Sequence, residues 1–158
     1  MERKKIAIIR IRGTQGLRSE ARNTFKILRL YKKNYCTVIE NTPDYIGMLN
    51  KIKDYATWGE IDEKTFKNLI EKRGKIMGDK RLTSDYLKQK THLDFDAFTK
   101  EFFSSSKKLK DIPGLKCFFR LAPPLKGFER KGIKQPFSMG GVLGYRKEKI
   151  NNLLERMI

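Results

Sequence analysis

Residues 5–12, KIAIIRIR, decide the fold. Ile6, Ile8 and the run 9–11 supply the β-branched character of a strand. Arg10 and Arg12 alternate with Ile9 and Ile11, so the strand end is expected to be apolar on one face and basic on the other. Residues 13–16, GTQG, end it in a turn. Residues 17–33 then read as a helix. At about 100° per residue, Arg18, Arg22, Lys26, Arg29 and Lys33 fall on one continuous stripe. Leu17, Ala21, Ile27, Leu28 and Tyr31 cluster on roughly the opposite side. This helix is expected to pack inward with its apolar side and to hold a ladder of cations outward.

Residues 35–40, YCTVIE, read as a second strand. Asn41 and Thr42 precede Pro43, whose fixed φ suits the first turn of a helix. That helix is expected to run to about Lys53, with Ile46, Leu49, Ile52 and Met48 inward. Residues 54–60, DYATWGE, make a third short strand ended near Gly59. The first 60 residues therefore read β-α-β-α-β.

Beyond them the pattern turns helical. Asp62 and Glu63 sit at a helix start, where negative charge is favoured. Phe66, Leu69 and Ile70 have helical spacing, and Gly74 stops that helix. Further helices are expected from Ser84 and over residues 94–104, with a surface linker at 104–110. Residues 115–121, LKCFFRL, set Leu115, Cys117, Phe119 and Leu121 against Lys116, Phe118 and Arg120, a strand pattern. Residues 123–146 hold Pro123, Pro124, Gly127, Gly132, Pro136, Gly140, Gly141 and Gly144, and such a stretch resists regular structure. A long loop of this kind is usually functional. Residues 147–157 are amphipathic, with Ile150, Leu153, Leu154 and Met157.

Charge narrows the function. The 158 residues carry 36 Lys and Arg against 18 Asp and Glu, a formal net +18. Residues 1–60 hold 13 basic and 6 acidic residues, a net +7, and residues 106–158 hold 13 and 4, a net +9. Residues 61–105 are nearly balanced, with 10 and 8. The excess therefore sits at the two ends, which a uniformly solvated surface would not show. A polyanion partner makes sense of it, and nucleic acid is the first candidate. There is no long apolar run, so no transmembrane helix is expected. The basic start lacks a signal-peptide pattern. Cys36 and Cys117 are far apart in strand patterns, which fits buried packing in a reducing cytosol.

Two stretches carry the binding expectation. The helix ladder can meet phosphate oxygens and release counterions. The Gly/Pro loop brings Lys126, Arg130, Lys131, Lys134 and Arg146 together with Phe128, Phe137 and Tyr145. Its rings suit stacking on unpaired bases, and Phe128 and Phe137 suit anchoring the loop to the core equally well. Catalytic readings are weaker. His92 is the sole histidine, in an ordinary polar segment. No Cys pair has zinc spacing, and residues 140–144 lack the phosphate-loop pattern. Trp58 is most simply a core residue. A small nuclease would need clustered carboxylates or a His base, and a membrane-surface protein would need a spare apolar stripe.

The stretches IAIIRIRGTQG (6–16), ILRLYKKNYCTVIENTP (27–43) and DYIGMLNKIKDYATWGE (44–60) resemble the large-subunit ribosomal protein family numbered thirty. The stretch RLAPPLKGFERKGIKQPFSMGGVLG (120–144), followed by an amphipathic helix, is similar to the extension of archaeal and eukaryotic members. The first strand begins near Lys5, without the long basic arm of eukaryotic members, which implies an archaeal form. The resemblance implies an α+β fold: a β-α-β-α-β core, somewhat ferredoxin-like, with a three-stranded antiparallel sheet and two helices on one face. Residues 1–60 would be this RNA-binding core, and residues 61–158 an α-rich extension with basic loop 123–146 and terminal helix 147–157. It implies a structural constituent of the large ribosomal subunit in the cytoplasm, without catalytic activity, cofactor, metal, membrane or small-molecule substrate. Its partners would be large-subunit ribosomal RNA and neighbouring ribosomal proteins. The alternative is an assembly factor or another non-catalytic RNA-binding protein. RNA contact is expected at Arg10, Arg12, Gly13, Arg18, Arg22, Lys26, Arg29, Lys32 and Lys33. In the second half it is expected at Arg120, Lys126, Arg130, Lys131, Lys134 and Arg146.

Overall fold

Strand β1, Lys5–Arg10, is buried at every position, and its sequence explains why. Successive side chains of a strand point to opposite faces, and β1 is apolar in both phases. Ile6 and Ile8 enter one core, Ala7 and Ile9 the other. A strand that is apolar on both faces belongs in the middle of a covered sheet. The computed structural model, which describes residues 4–158, places it there.

Strands β2, Tyr35–Glu40, and β3, Ala56–Glu60, flank β1, both antiparallel to it. Ile8 faces Thr37 on one side and Trp58 on the other. The expected three-stranded sheet is the centre of a wider one. Two short strands, β4 (Phe119–Arg120) and β5 (Gly144–Tyr145), extend it to the order β4-β2-β1-β3-β5. β4 pairs antiparallel with β2, and β5 parallel with β3. Each covers part of an edge that would otherwise present unpaired backbone groups. Of the expected strand 115–121, Phe119 and Arg120 join the sheet and Leu115 forms an isolated bridge with Ile76. Nearer its start, the Thr37 hydroxyl donates to the Cys117 carbonyl at 3.1 Å, a side-chain bond where the backbones diverge.

Helices α1, Ser19–Ile27, and α2, Pro43–Ile52, cover the face of Ile6 and Ile8. The opposite face is covered from the second half of the chain. Helices α3 (Glu63–Arg73), α4 (Ser84–Thr91), α5 (Phe95–Phe103) and α6 (Ile150–Met157) supply Phe66, Leu69, Leu87, Phe98, Phe102, Leu153 and Leu154 to it. Phe66 and Phe102 stack with centroids 4.3 Å apart. The α3 start is set by Asp62, whose carboxylate accepts from the Thr65 N–H at 2.8 Å, satisfying a donor the helix leaves free. Gly59 lets β3 meet the turn at Lys147–Lys149: a Cβ there would lie 2.0 Å from the Lys147 carbonyl oxygen.

One buried charge went unread. Lys5 is 2% exposed, with its Nζ 2.8 Å from a Glu40 carboxylate oxygen and 3.2 Å from Ser105 Oγ, over the Phe102 ring. It ties β1 to β2 and to the end of α5.

Candidate nucleic-acid interface

The expected helix 17–33 ends at Ile27. The phase of α1 is set by Ala21, Thr24 and Phe25, with Leu17 before and Leu28 after, all buried. Leu30 N–H reaches back to the Phe25 carbonyl at 2.9 Å, and Arg29 N–H to the Lys26 carbonyl at 3.1 Å. Arg29 sits at φ 58°, in the left-handed region. Together these make the chain reversal that closes many helices, with Leu30 as its buried apolar plug. Two expectations change in consequence. Ile27 and Tyr31, expected inward, are 63% and 49% exposed. The ladder is not one helical stripe: Arg22 and Lys26 stand on α1, Arg18 at its N-terminal cap, and Arg29 and Lys33 on the turn beyond it. In α2, likewise, Ile46 faces outward and Tyr45 packs in its place.

The turn has a built foundation, and it is Arg10. The expectation that Arg10 lies on an open basic face is corrected: it is 2% exposed. It shares the phase of Ile6 and Ile8, so the helices that cover those residues cover it too. Its Nη1 donates to the carbonyls of Leu30 at 2.7 Å and Tyr31 at 3.0 Å, and its Nε to the carbonyl of Arg12 at 3.0 Å. The guanidinium lies 4.4 Å from the centre of the Phe25 ring, a favourable cation–π geometry. Burial pushes its pKa down from the ordinary value, and the carbonyl dipoles stand in for water. Arg12 is half-buried and donates to the Asp54 carbonyl at 3.2 Å, over the Tyr55 ring. Gly13 is exposed, with nothing within 4 Å of where a Cβ would stand.

Above this foundation stand Arg18, Arg22, Lys26, Arg29, Lys32 and Lys33, all exposed. Among the described residues none of the six has a carboxylate partner. Cations elsewhere on the molecule are often paired: Lys67 with Asp96, Lys88 with Asp94, Lys107 with Glu101. The six lie together within residues 18–33, and among the described residues the exposed loop cations Lys126, Arg130, Lys131 and Lys134 also have no carboxylate partner.

The loop 123–146 is organised differently. Lys126, Arg130, Lys131 and Lys134 are exposed. Arg146, expected among them, is 2% exposed and locked inside. Its Nη1 meets a Glu129 carboxylate oxygen at 2.7 Å, its Nη2 the Val142 carbonyl at 2.7 Å, and its Nε Thr57 Oγ1 at 2.8 Å. Burial lowers its pKa from the ordinary value, and the Glu129 carboxylate acts in the other direction. Two of the three loop rings are anchors, while Tyr145 is 47% exposed with its hydroxyl 3.4 Å from a Glu60 carboxylate oxygen. Phe128 packs against the core, and Phe137 lies under Arg146 and Lys149. Gly141 makes the tight return possible, since a Cβ there would lie 2.1 Å from the Gln135 carbonyl oxygen.

Arg120 is half-buried, bonded to Asp79 at 3.4 Å. Lys116 also bonds that carboxylate, and it holds Asp79 below its ordinary pKa with help from Arg120. Arg120 belongs to β4 and Tyr145 to β5, at opposite edges of the sheet. Four strand spacings separate them, roughly 19 Å. The other candidates behave as packing or surface groups. Cys36 is buried, and burial pushes its thiol pKa up. His92 is exposed at the end of α4. No group of three or more His, Cys, Asp or Glu among the described residues could hold a metal ion. No helix among them is long and apolar enough to cross a membrane.

Comparison with known proteins gives this arrangement a family. The model described as ribosomal protein L30p/L7e matches residues 6–56, the stretch from β1 into β3. The large ribosomal subunit protein uL30 of Methanococcus vannielii is 47% identical over 152 residues, covering 96% of this chain and 98% of that protein. Its counterpart in Methanopyrus kandleri is 46% identical over 149 residues, covering 94% and 100%. That of Nanoarchaeum equitans is 47% identical over 152 residues, covering 96% and 97%. The chain belongs to the uL30 family. The family model stops within β3, whereas these archaeal uL30 proteins match through the helices and loop that complete the second face of the sheet.

Proposed function

We propose that this uL30 chain holds large-subunit ribosomal RNA chiefly through residues 18–33, with loop 123–146 as a second contact. Family membership makes it a structural, non-enzymatic constituent of the large ribosomal subunit, with large-subunit RNA and neighbouring ribosomal proteins as its partners. It works in the ribosome in the cytoplasm. The observation that carries the RNA reading is the set of six exposed cations without a carboxylate partner, standing on a turn that a buried arginine fixes. Phosphate contacts of this kind set register and orientation, and the shape of the RNA supplies selectivity. Arg12 and Gly13 extend the same surface, Arg120 stands beside the turn against Tyr35 with Asp79 as its partner, and Lys126, Arg130, Lys131 and Lys134 form the second. Arg10 and Arg146 serve as supports inside. In this reading residues 1–60 are the RNA-binding core, and residues 61–158 an extension that brackets the sheet.

The test is charge reversal on α1. Arg22→Glu with Lys26→Glu should weaken binding to a large-subunit RNA transcript. It should also flatten the dependence of log K on log salt by about 1.5 to 2 units, because two fewer phosphates are neutralised. Both side chains are exposed, so the melting temperature should hold. An unchanged salt slope would remove α1 from the interface.

A further inference from the structure

Tyr31 is the uncharged side chain of the basic turn that stays outside the core. It is 49% exposed, while Leu28 and Leu30 beside it fill the core. Phe118 meets it edge-on, with centroids 5.6 Å apart at 90°. Phe118 in turn stacks on Tyr35, at 5.3 Å and 8°. The Arg120 guanidinium lies 6.0 Å from the centre of the Tyr35 ring. Three rings from two distant stretches of chain thus meet at the surface, half-exposed or partly buried. Arg29, Lys32 and Lys33 belong to the same turn as Tyr31, exposed and without carboxylate partners. The Tyr31 carbonyl is held by Arg10 at 3.0 Å, so the ring is carried on fixed backbone.

We propose that Tyr31, braced edge-on by Phe118, is a stacking platform for an unpaired nucleotide of the RNA, with Arg29, Lys32 and Lys33 taking the flanking phosphates. The proposal rests on the reading that residues 18–33 bind ribosomal RNA, and it names the RNA feature they meet. An aromatic surface beside cations with no anion of its own fits a group that pairs a flat ring with phosphates. Bases inside a duplex offer no free face, so the target is a loop, bulge or strand end. An acidic protein segment would use the cations and leave the rings idle. The platform is ordered in advance, so little conformational freedom is lost on binding.

Two measurements test it. In the first, the whole protein binds a large-subunit RNA transcript at several salt concentrations. Tyr31→Leu should weaken binding about five- to 100-fold with the salt slope unchanged, because stacking releases no counterions. Tyr31→Phe should stay within about twofold of the parent, since it keeps the ring. A Tyr31→Leu protein that binds as tightly as the parent, or loses affinity only through a shallower slope, overturns the platform and leaves the RNA reading standing. A parent protein with no salt-dependent binding overturns the RNA reading itself. The second measurement needs no variant. Ultraviolet irradiation of intact large subunits, then digestion and mass spectrometry, should place a nucleotide adduct on Tyr31 or Phe118. Adducts confined to other peptides, or a crosslink from Tyr31 to a protein, overturn the platform even if Tyr31→Leu fails to fold.

Discussion

The turn after α1 and the loop 123–146 are built on one plan and differ in one respect. Each raises exposed cations above a buried arginine that lies over a phenylalanine ring. Beneath the turn, Arg10 bonds backbone carbonyls alone, through Nη1 and Nε, and its buried Nη2 has no hydrogen-bond partner among the described residues. Beneath the loop, Arg146 faces the Glu129 carboxylate at 2.7 Å. The difference teaches how to read a basic composition. A neutralised arginine is a local fastening. An arginine held only by dipoles keeps its charge and adds to the field of the cations above it. Under the proposed reading, residues 18–33 are therefore expected to draw phosphate more strongly than the loop, although the C-terminal third of the sequence carries the larger formal excess.

The largest effect should come from cutting the loop's fastening. Arg146→Met removes the buried partner of an ion pair and strands the Val142 carbonyl, while the Thr57 hydroxyl keeps its bond to the Gly144 carbonyl. Such losses cost about 3–5 kcal/mol, on the order of 10 °C in melting temperature for a chain of this size. Adding Glu129→Leu should recover much of the loss, because the stranded carboxylate goes with it. Thermal melts of the single and double variants measure both. A double variant no more stable than the single one would mean that the bonds to Thr57 and Val142 dominate, and the contrast with Arg10 would shrink.

Arg10→Met should cost somewhat less, about 2–3 kcal/mol, through the freed carbonyls of Leu30 and Tyr31. No second substitution of a carboxylate can rescue it. RNA affinity should fall because the turn loosens, while the salt slope stays near the parent value, since Arg10 meets no phosphate. A slope reduced by about one would restore Arg10 as a contact. Denaturant titration and RNA binding in a salt series read the two effects.

These side chains mark where sequence reasoning reached and where it stopped. The β-α-β-α-β order and α3 behind Asp62 were legible, because strand alternation, helix spacing and caps are local signals; that β1 is covered on both faces was not, since its end read as basic on one face. The fates of Arg10 and Arg146 were not, because burial depends on what packs above. A signal for Arg10 existed: it shares the strand phase of Ile6 and Ile8, and a helix covering them must pass over it. The end of α1 was hidden for another reason. The reversal at residue 29 calls for glycine, and an arginine stands there, so the helical count ran on and carried Tyr31 to the wrong side. The two edge strands are two residues each, too short for any periodicity.

Arg29 gives the smallest and sharpest prediction, because at this one position the fold and the proposed contact ask for different residues. At φ 58° a side chain costs about 1 kcal/mol or more relative to glycine. The Arg29 side chain is exposed and has no carboxylate partner among the described residues to offset that cost. Arg29→Gly should therefore leave stability unchanged or raise it by up to about 1 kcal/mol, less whatever the unfolded chain gains in freedom. The same change should weaken RNA binding and lower the salt slope by just under one unit, as the loss of one phosphate contact requires. Stability and affinity moving in opposite directions would show that the turn keeps its strained arginine for the RNA. If both fell together, Arg29 would be a structural residue after all, and the turn would resemble the loop more closely than the geometry of its supporting arginine suggests.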